Sequence, residues 1–264
     1  MDVKMFISIL FSVIGGLGIF LVGMRYMSDG LQAIAGERLR RMIGAVTDNR
    51  VMGLLVGLFV TCIVQSSSIT TVMMVGLVNS GFMTFTQSLG VIFGANIGTT
   101  ITGWILVLDI GKYGLPILGL SSFFFLFSKK ESVRYAGMSM MGIGMIFFGL
   151  ELMKNGFTPL RNDAGFCAWF HAFDASTYPG ILKCVLAGCI LTVILQSSSA
   201  TLGITMGLAA AGVIPFTTAA ALVLGENIGT TITAFLATLG ATTAAKRAAW
   251  AHIMFNVLGT TWFV

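Results

Sequence analysis

Gln65-Ser66-Ser67-Ser68 and Gln196-Ser197-Ser198-Ser199 are two copies of one tetrapeptide, and each is followed by Asn-Ile-Gly-Thr-Thr-Ile-Thr, at Asn96–Thr102 and at Asn227–Thr233. The offset is 196 − 65 = 131 for the first string and 227 − 96 = 131 for the second, so the copies hold register across the interval. The chain carries a duplicated unit. Both strings are rich in hydroxyls and amides, and both interrupt sequence that otherwise reads as lipid-facing helix. Polar breaks at membrane depth are costly and persist mainly where they line a site.

Composition places the chain in a bilayer before any motif is read. Of 264 residues 56% are hydrophobic and only 9% charged, with a mean hydropathy of +0.94, which excludes an ordinary soluble domain. The formal charge of +5 comes from short basic clusters between apolar runs. Such clusters set membrane orientation and argue against a nucleic-acid partner. Cys62, Cys167, Cys184 and Cys189 lack metal-ligand spacing and read as small hydrophobic residues.

The expected architecture is all-α. It is a polytopic membrane protein of two inverted repeats, residues 1–134 and 135–264, each with a re-entrant helical hairpin and a broken transmembrane helix. The first spanning helix covers about Met5 to Met27. Its pattern recurs at an offset of 126, Gly18, Gly23, Met27 and Gly30 matching Gly144, Gly149, Met153 and Gly156, so it belongs to the fold rather than to a secretory signal. A basic amphipathic stretch with Arg38, Arg40, Arg41 and Arg50 follows. The run Val51–Asn79 is cut by Gln65–Ser68 into halves too short for the ~20 residues a crossing requires, so a hairpin is predicted. A crossing over Phe82–Leu108 is expected to break near Gly94–Thr100, and a shorter helix spans Tyr113–Ser128. The second unit repeats the order: a helix from Tyr135 to about Lys154, a polar loop from Asn155 to Pro179, a hairpin over Gly180–Gly212, a broken helix over Pro215–Leu239 and a final helix from about Lys246.

An odd number of crossings between equivalent points inverts the second copy. The distribution of basic residues agrees. With the amino terminus outside, the segments Ser28–Arg50, Lys129–Arg134 and Lys246-Arg247 are cytoplasmic and hold nine of the fifteen basic residues. Inverted repeats with discontinuous helices place transporter sites near the midplane.

The polar strings supply the matching chemistry. Unpaired N–H groups at the start of a half-helix suit an anion, and serine hydroxyls donate to anionic oxygen or turn lone pairs to a cation. Small polar residues also pack membrane helices closely, which is the reading for Gly53-Leu54-Leu55-Val56-Gly57. Two copies in register, each joined to Asn-Ile-Gly-Thr-Thr, favour a site.

Gln-Ser-Ser-Ser followed by Gly-x-Asn-Ile-Gly-Thr-Thr, present twice, resembles the type II sodium/phosphate cotransporters and their bacterial relatives. Trp250–Gly259 is similar to the family's helix after the second repeat. The resemblance implies Na⁺-coupled symport of inorganic phosphate across the cytoplasmic membrane by a multi-pass protein in contact with lipid. It places phosphate near Ser66, Ser67, Ser197 and Ser198. It places sodium near Thr102, Thr233, Ser198 and Ser199, and a second sodium near Glu226 and Thr230. Gln65, Asn96, Thr99, Gln196 and Asn227 complete the candidate cation ligands. Na⁺ is the coupling ion, with no other metal, no cofactor and no catalytic residue expected; the oligomeric state is left open, a homodimer being one candidate.

Glu226 replaces a hydroxyl residue of the vertebrate pattern and has Ala95 as its first-repeat counterpart. A carboxylate at membrane depth is a functional candidate by default. Glu151 and Lys154 are expected to make a local contact, Arg25 is not expected to meet Glu151, and His252 reads as a packed neutral imidazole in preference to a proton-coupling group. The competing readings are transport of another small oxyanion, an ion channel, and an intramembrane serine hydrolase using His252 as base.

Overall fold

In hydrocarbon a chain can satisfy its peptide groups only within helices or around a closed barrel, and long apolar runs without strand alternation favour helices. The computed structural model describes residues 3–44, 49–108, 111–163 and 173–264, and among these residues it contains helices and no strand. The helices are α1 (Val3–Gly44), α2 (Arg50–Val64), α3 (Ser67–Asn79), α4 (Phe85–Val107), α5 (Gly114–Phe127), α6 (Glu131–Phe157), α7 (Tyr178–Leu195), α8 (Ser198–Ala210), α9 (Phe216–Thr230), α10 (Ile232–Leu236) and α11 (Thr243–Phe263). Among the described residues five segments are long and apolar enough to cross a membrane: Met5–Gly36, Phe85–Val107, Glu131–Arg161, Tyr178–Leu195 and Phe216–Leu236. Large apolar side chains such as Phe11, Leu126 and Phe127 are exposed on the periphery, where lipid is the natural solvent.

α1 and α6 form an antiparallel pair seamed by glycine. Gly16 packs on Gly149, Gly23 on Gly142 and Gly30 on Tyr135 and Ser139. The Ser139 hydroxyl donates to the Met27 carbonyl at 2.9 Å. Around the centre of this seam lie Phe20 and Ile146, both fully buried.

The two halves also share a close parallel packing. A Cβ on Gly57 would sit 2.0 Å from the Val91 carbonyl oxygen, and one on Gly94 would sit 2.0 Å from that of Leu54, so α2 and α4 run side by side in the same direction. The counterparts 131 residues on are Gly188, 2.1 Å from the Leu222 oxygen, and Gly225, 1.9 Å from that of Val185, which join α7 to α9 in the same way. Gly53 and Gly57 are packing residues as expected. Since α2 and α4 are parallel, α3 between them runs back. Thr61 and Thr70 hydroxyls lie 3.0 Å apart, whereas one continuous helix would separate those residues by roughly 13 Å.

Two expectations need correction. Arg38, Arg40 and Arg41 of the basic stretch after Met27 belong to α1, which continues unbroken to Gly44, while Arg50 opens α2; the side chains of Arg38, Arg40 and Arg41 lie outside the described residues, as does Cys167. The first repeat has no broken helix either. α4 is continuous through Gly94–Thr100, because the polar groups bond within their own helix: Asn96 Nδ2 to Ile92 O at 3.0 Å, Thr99 Oγ1 to Ala95 O at 3.1 Å and Thr100 Oγ1 to Ile97 O at 2.7 Å. The second repeat is interrupted, at Thr231 between α9 and α10.

Gly57→Ala and Gly188→Ala should each force their helix pair apart and abolish recovery of monodisperse protein or lower its Tm sharply. Gly18→Ala, with open space around the added methyl, should leave the melting curve within about 1 kcal/mol of the parent. Thermal unfolding in detergent followed by size-exclusion chromatography reads the difference.

Candidate functional site

Each hairpin turns on the duplicated tetrapeptide in the same way. Gln65 ends α2 with φ 56° and Gln196 ends α7 with φ 51°, both in the left-handed region. The next residue swings to extended backbone, Ser66 at φ −150° and Ser197 at φ −146°, and caps the following helix. Ser66 Oγ accepts from the Ile69 N–H at 3.3 Å, and Ser197 Oγ accepts from the Ala200 N–H at 3.2 Å. A threonine pair clasps each hairpin, Thr61 with Thr70 and Thr192 with Thr201 at 3.2 Å. Thr70 also donates to Ser66 O and Thr201 to Ser197 O, each at 3.1 Å.

The two tips meet. A cavity of about 350 Å³ is lined by Gln65–Ser68 and Gln196–Ser199 together with Thr99. Among the described residues the hydroxyls of Ser67, Ser68, Ser198 and Ser199 make no hydrogen bond, which leaves four donors at this cavity. The first N–H groups of α3 and α8 have no intrahelical acceptors, and the positive ends of both helix dipoles lie at the same cavity. Neutral donors converging from two helices have the chemistry that suits an oxyanion.

One face of α1 closes the cavity with Arg25, Ser28, Asp29 and Gln32, none of which was singled out from sequence as part of the site. Ser28 Oγ donates to Val64 O at 2.7 Å and receives a bond of the same length from Gln32 Nε2, tying α1 to the first tip. Arg25 lies 3.6 Å from Asp29, while Glu151 lies 4.0 Å from Lys154, so the expected local contact is present and Arg25 has a different partner.

A second cavity of about 580 Å³ adjoins the first through Thr99, Ser198 and Ser199, and is also lined by Asn96, Thr102, Glu226 and Asn227. Glu226 is only 2% exposed and accepts from Thr205 Oγ1 at 2.8 Å. No ion pair to it occurs among the described residues. A carboxylate has about four acceptor positions, so one hydroxyl leaves capacity for a cation or a proton. Thr205 and Glu226 replace Met74 and Ala95 of the first repeat together, one polar pair for one apolar pair.

The halves differ in another respect. Thr102 Oγ1 donates to Gln65 Oε1 at 2.9 Å, and Gln65 Nε2 donates to the Cys62 carbonyl, which locks the buried first glutamine. Thr233, its counterpart beyond the interruption, instead donates to Thr230 O at 3.0 Å, and Gln196 stays exposed. Thr230 donates to Glu226 O at 2.8 Å. Thr230 and Thr233 line neither cavity, whereas the other sequence-derived candidates line one or both. His252 is fully buried with Nε2 3.3 Å from Asn96 Oδ1, and it is hydrogen-bonded to no serine, so the Ser–His pair of a hydrolase is absent among the described residues.

The family model described as Na+/Pi-cotransporter matches residues 19–155 and 172–264. YqeW of Bacillus subtilis (strain 168), an uncharacterized protein, is 34% identical over 91% of this chain and 76% of its own length. The Escherichia coli (strain K12) protein named "Putative inorganic phosphate export protein YjbB" is 29% identical over 95% of this chain, which spans 46% of that relative. Human "Sodium-dependent phosphate transport protein 2B" is 34% identical over 36% of this chain and 14% of its own length. No solved structure matches.

Thr102→Val removes the donor to a buried amide oxygen and should cost about 1–3 kcal/mol of stability. Thr233→Val, at the position where the equivalent bond is not formed, should cost less than about 0.5 kcal/mol. Unfolding midpoints of the two variants in one detergent check the contrast.

Proposed function

Since the chain belongs to the Na+/Pi-cotransporter family, we propose that it is a secondary active transporter coupling inorganic phosphate to Na⁺ across the cytoplasmic membrane by alternating access. The observation that carries this reading is the meeting of both Gln-Ser-Ser-Ser tips at one cavity. Phosphate is held there by Ser66, Ser67, Ser197 and Ser198 with the N-termini of α3 and α8. Hydroxyls and amides without permanent charge bind an oxyanion firmly enough to select it and loosely enough to release it.

Sodium is held beside it by Ser198, Ser199 and Glu226 with Asn96, Thr99 and Thr102 of the first Asn-Ile-Gly-Thr-Thr-Ile-Thr string and Asn227 of the second. A cation next to the anion offsets its charge, which couples the two fluxes. The α1–α6 seam supports inversion of the halves 1–134 and 135–264. Adding 126 to one partner of the Gly16–Gly149 contact and subtracting it from the other gives Gly142–Gly23, the next contact along, as a two-fold axis across an antiparallel pair requires. The parallel run of α2 and α4 supports re-entrance, because the chain leaves the hairpin at the level where it entered.

Proteoliposomes holding the purified protein should accumulate labelled phosphate under an imposed Na⁺ gradient, and reversing the gradient should drive efflux, which covers the export named for YjbB. Arsenate should compete and sulfate should not. Ser67→Ala should weaken phosphate on the order of tenfold, the worth of one hydrogen bond to a charged group. Glu226→Gln should shift the Na⁺ dependence far more than the phosphate dependence. Uptake indifferent to Na⁺ would sink the coupling.

A further inference from the structure

We propose that the cavity of about 310 Å³ beside Glu151 and Lys154 is the second entrance to the serine cradle, opposite to the one at Arg25 and Gln32, and that Leu106 and Met206 close it in this structure. The proposal rests on the transport reading above and adds the route.

The two entrances are built from equivalent residues. α1 contributes Leu21, Met24, Arg25 and Ser28 to the first cavity, and α6 contributes Phe147, Leu150, Glu151 and Lys154 to the other. The differences 147 − 21, 150 − 24, 151 − 25 and 154 − 28 are all 126, the offset that relates the two helices. Because α1 and α6 are antiparallel, equivalent faces point to opposite ends of the pair. Their contacts put residue i of α1 opposite about 167 − i of α6, so Lys154 is level with about residue 13 and lies about 19 residues from Gln32. At 1.5 Å per residue that is roughly 28 Å, close to the ~30 Å of a hydrocarbon core.

A lined path joins them. On α8, Ser198, Leu202, Met206 and Ala210 recur every fourth residue along one face and pass from the cradle through the middle cavity to the second entrance. On α4, Thr99, Gly103 and Val107 do the same. Leu106 is 5% exposed and packs in the core with Met153 and Ile146, against which Met206 also packs, so this end is closed.

The closure is one-sided. Gly207 of α8 packs against Phe157 and Met153 of α6, while a methyl on its counterpart Gly76 of α3 would meet nothing within 4 Å. α3 packs instead against Ala245, Ala248 and Ala249 of α11 through Met74, Val75 and Val78. One half is pressed onto its long helix and the other is held away from it. Exchange of the two arrangements would open the Lys154 entrance and close the Gln32 entrance around a cradle that stays assembled.

Single cysteines at Gln32, Lys154 and Met206, with the unsubstituted protein as background control, test this in sealed, oriented vesicles. A charged, impermeant thiol reagent should label Gln32→Cys from one face only and Lys154→Cys from the other only. Met206→Cys should react from the Lys154 face only when Na⁺ and phosphate are both supplied to drive turnover. Labelling at Lys154→Cys with a bulky reagent should abolish phosphate flux relative to the same variant unlabelled. Gly76→Leu fills the open side of α3, so it should stay folded, lose flux and lose the turnover-dependent labelling at Met206→Cys.

Labelling of Gln32→Cys and Lys154→Cys from the same face overturns the proposal, as does full phosphate flux through protein blocked at Lys154→Cys. The sidedness readout needs no knowledge of the solute. Opposite labelling without phosphate flux in the unsubstituted protein would keep the entrances and remove the substrate assignment, whereas Na⁺-driven flux with same-face labelling would do the reverse.

Discussion

The glycine seam between α1 and α6 is the contact on which the rest of the molecule depends. Backbones approach within hydrocarbon only where side chains are absent, since lipid tails provide no hydrophobic force to press helices together. Gly16, Gly23 and Gly30 on one helix and Gly142 and Gly149 on the other remove that obstacle, and Phe20 and Ile146 fill the space around the crossing point. The seam fixes how the halves face each other. Each half then hangs its hairpin from a glycine-lined parallel pair, and the geometry that brings the first tip to the centre also brings the second.

The consequence for chemistry is a site assembled from weak, neutral parts. No lysine or arginine reaches the cradle from α3 or α8; the hydroxyls of Ser67, Ser68, Ser198 and Ser199 and two helix termini supply the positive potential. The charged residues stand aside. Arg25 is paired with Asp29 at one margin, and Glu226 is buried against Thr205 behind the second tip. Under the proposed function, a cradle of this kind would hold its anion best with a cation near, which would link binding strength to the partner ion rather than to a fixed charge.

Much of this was legible in the sequence, and the reasons differ by element. The hairpin turns were visible because Gln-Ser-Ser-Ser combines a residue able to leave the helix with a capping serine, and because the halves on either side are too short to cross. The continuity of α4 was not visible. Asn96, Thr99 and Thr100 look like a break, yet each satisfies itself on a carbonyl three or four residues back. The Thr205–Glu226 bond spans two helices and leaves no local pattern, although the joint replacement by Met74 and Ala95 was a signal open to inspection. Arg25, Ser28, Asp29 and Gln32 follow the i, i+3, i+4, i+7 spacing of one helical face, and their counterparts Glu151, Lys154, Asn155 and Thr158 are polar too. That duplicated polar stripe could have been found from the same offset that exposed the first helix as part of the repeat.

The backbone of Gln65 and Gln196 carries a last implication. A side chain held at φ near +50° costs about 1–2 kcal/mol that glycine would not incur, so drift at these positions should run toward glycine unless the amide is needed. In Gln65 the need is plain, for the amide bridges its own helix to Thr102. Gln196 keeps the same awkward posture with its amide exposed and with no hydrogen bond among the described residues, so its backbone cost has no local return.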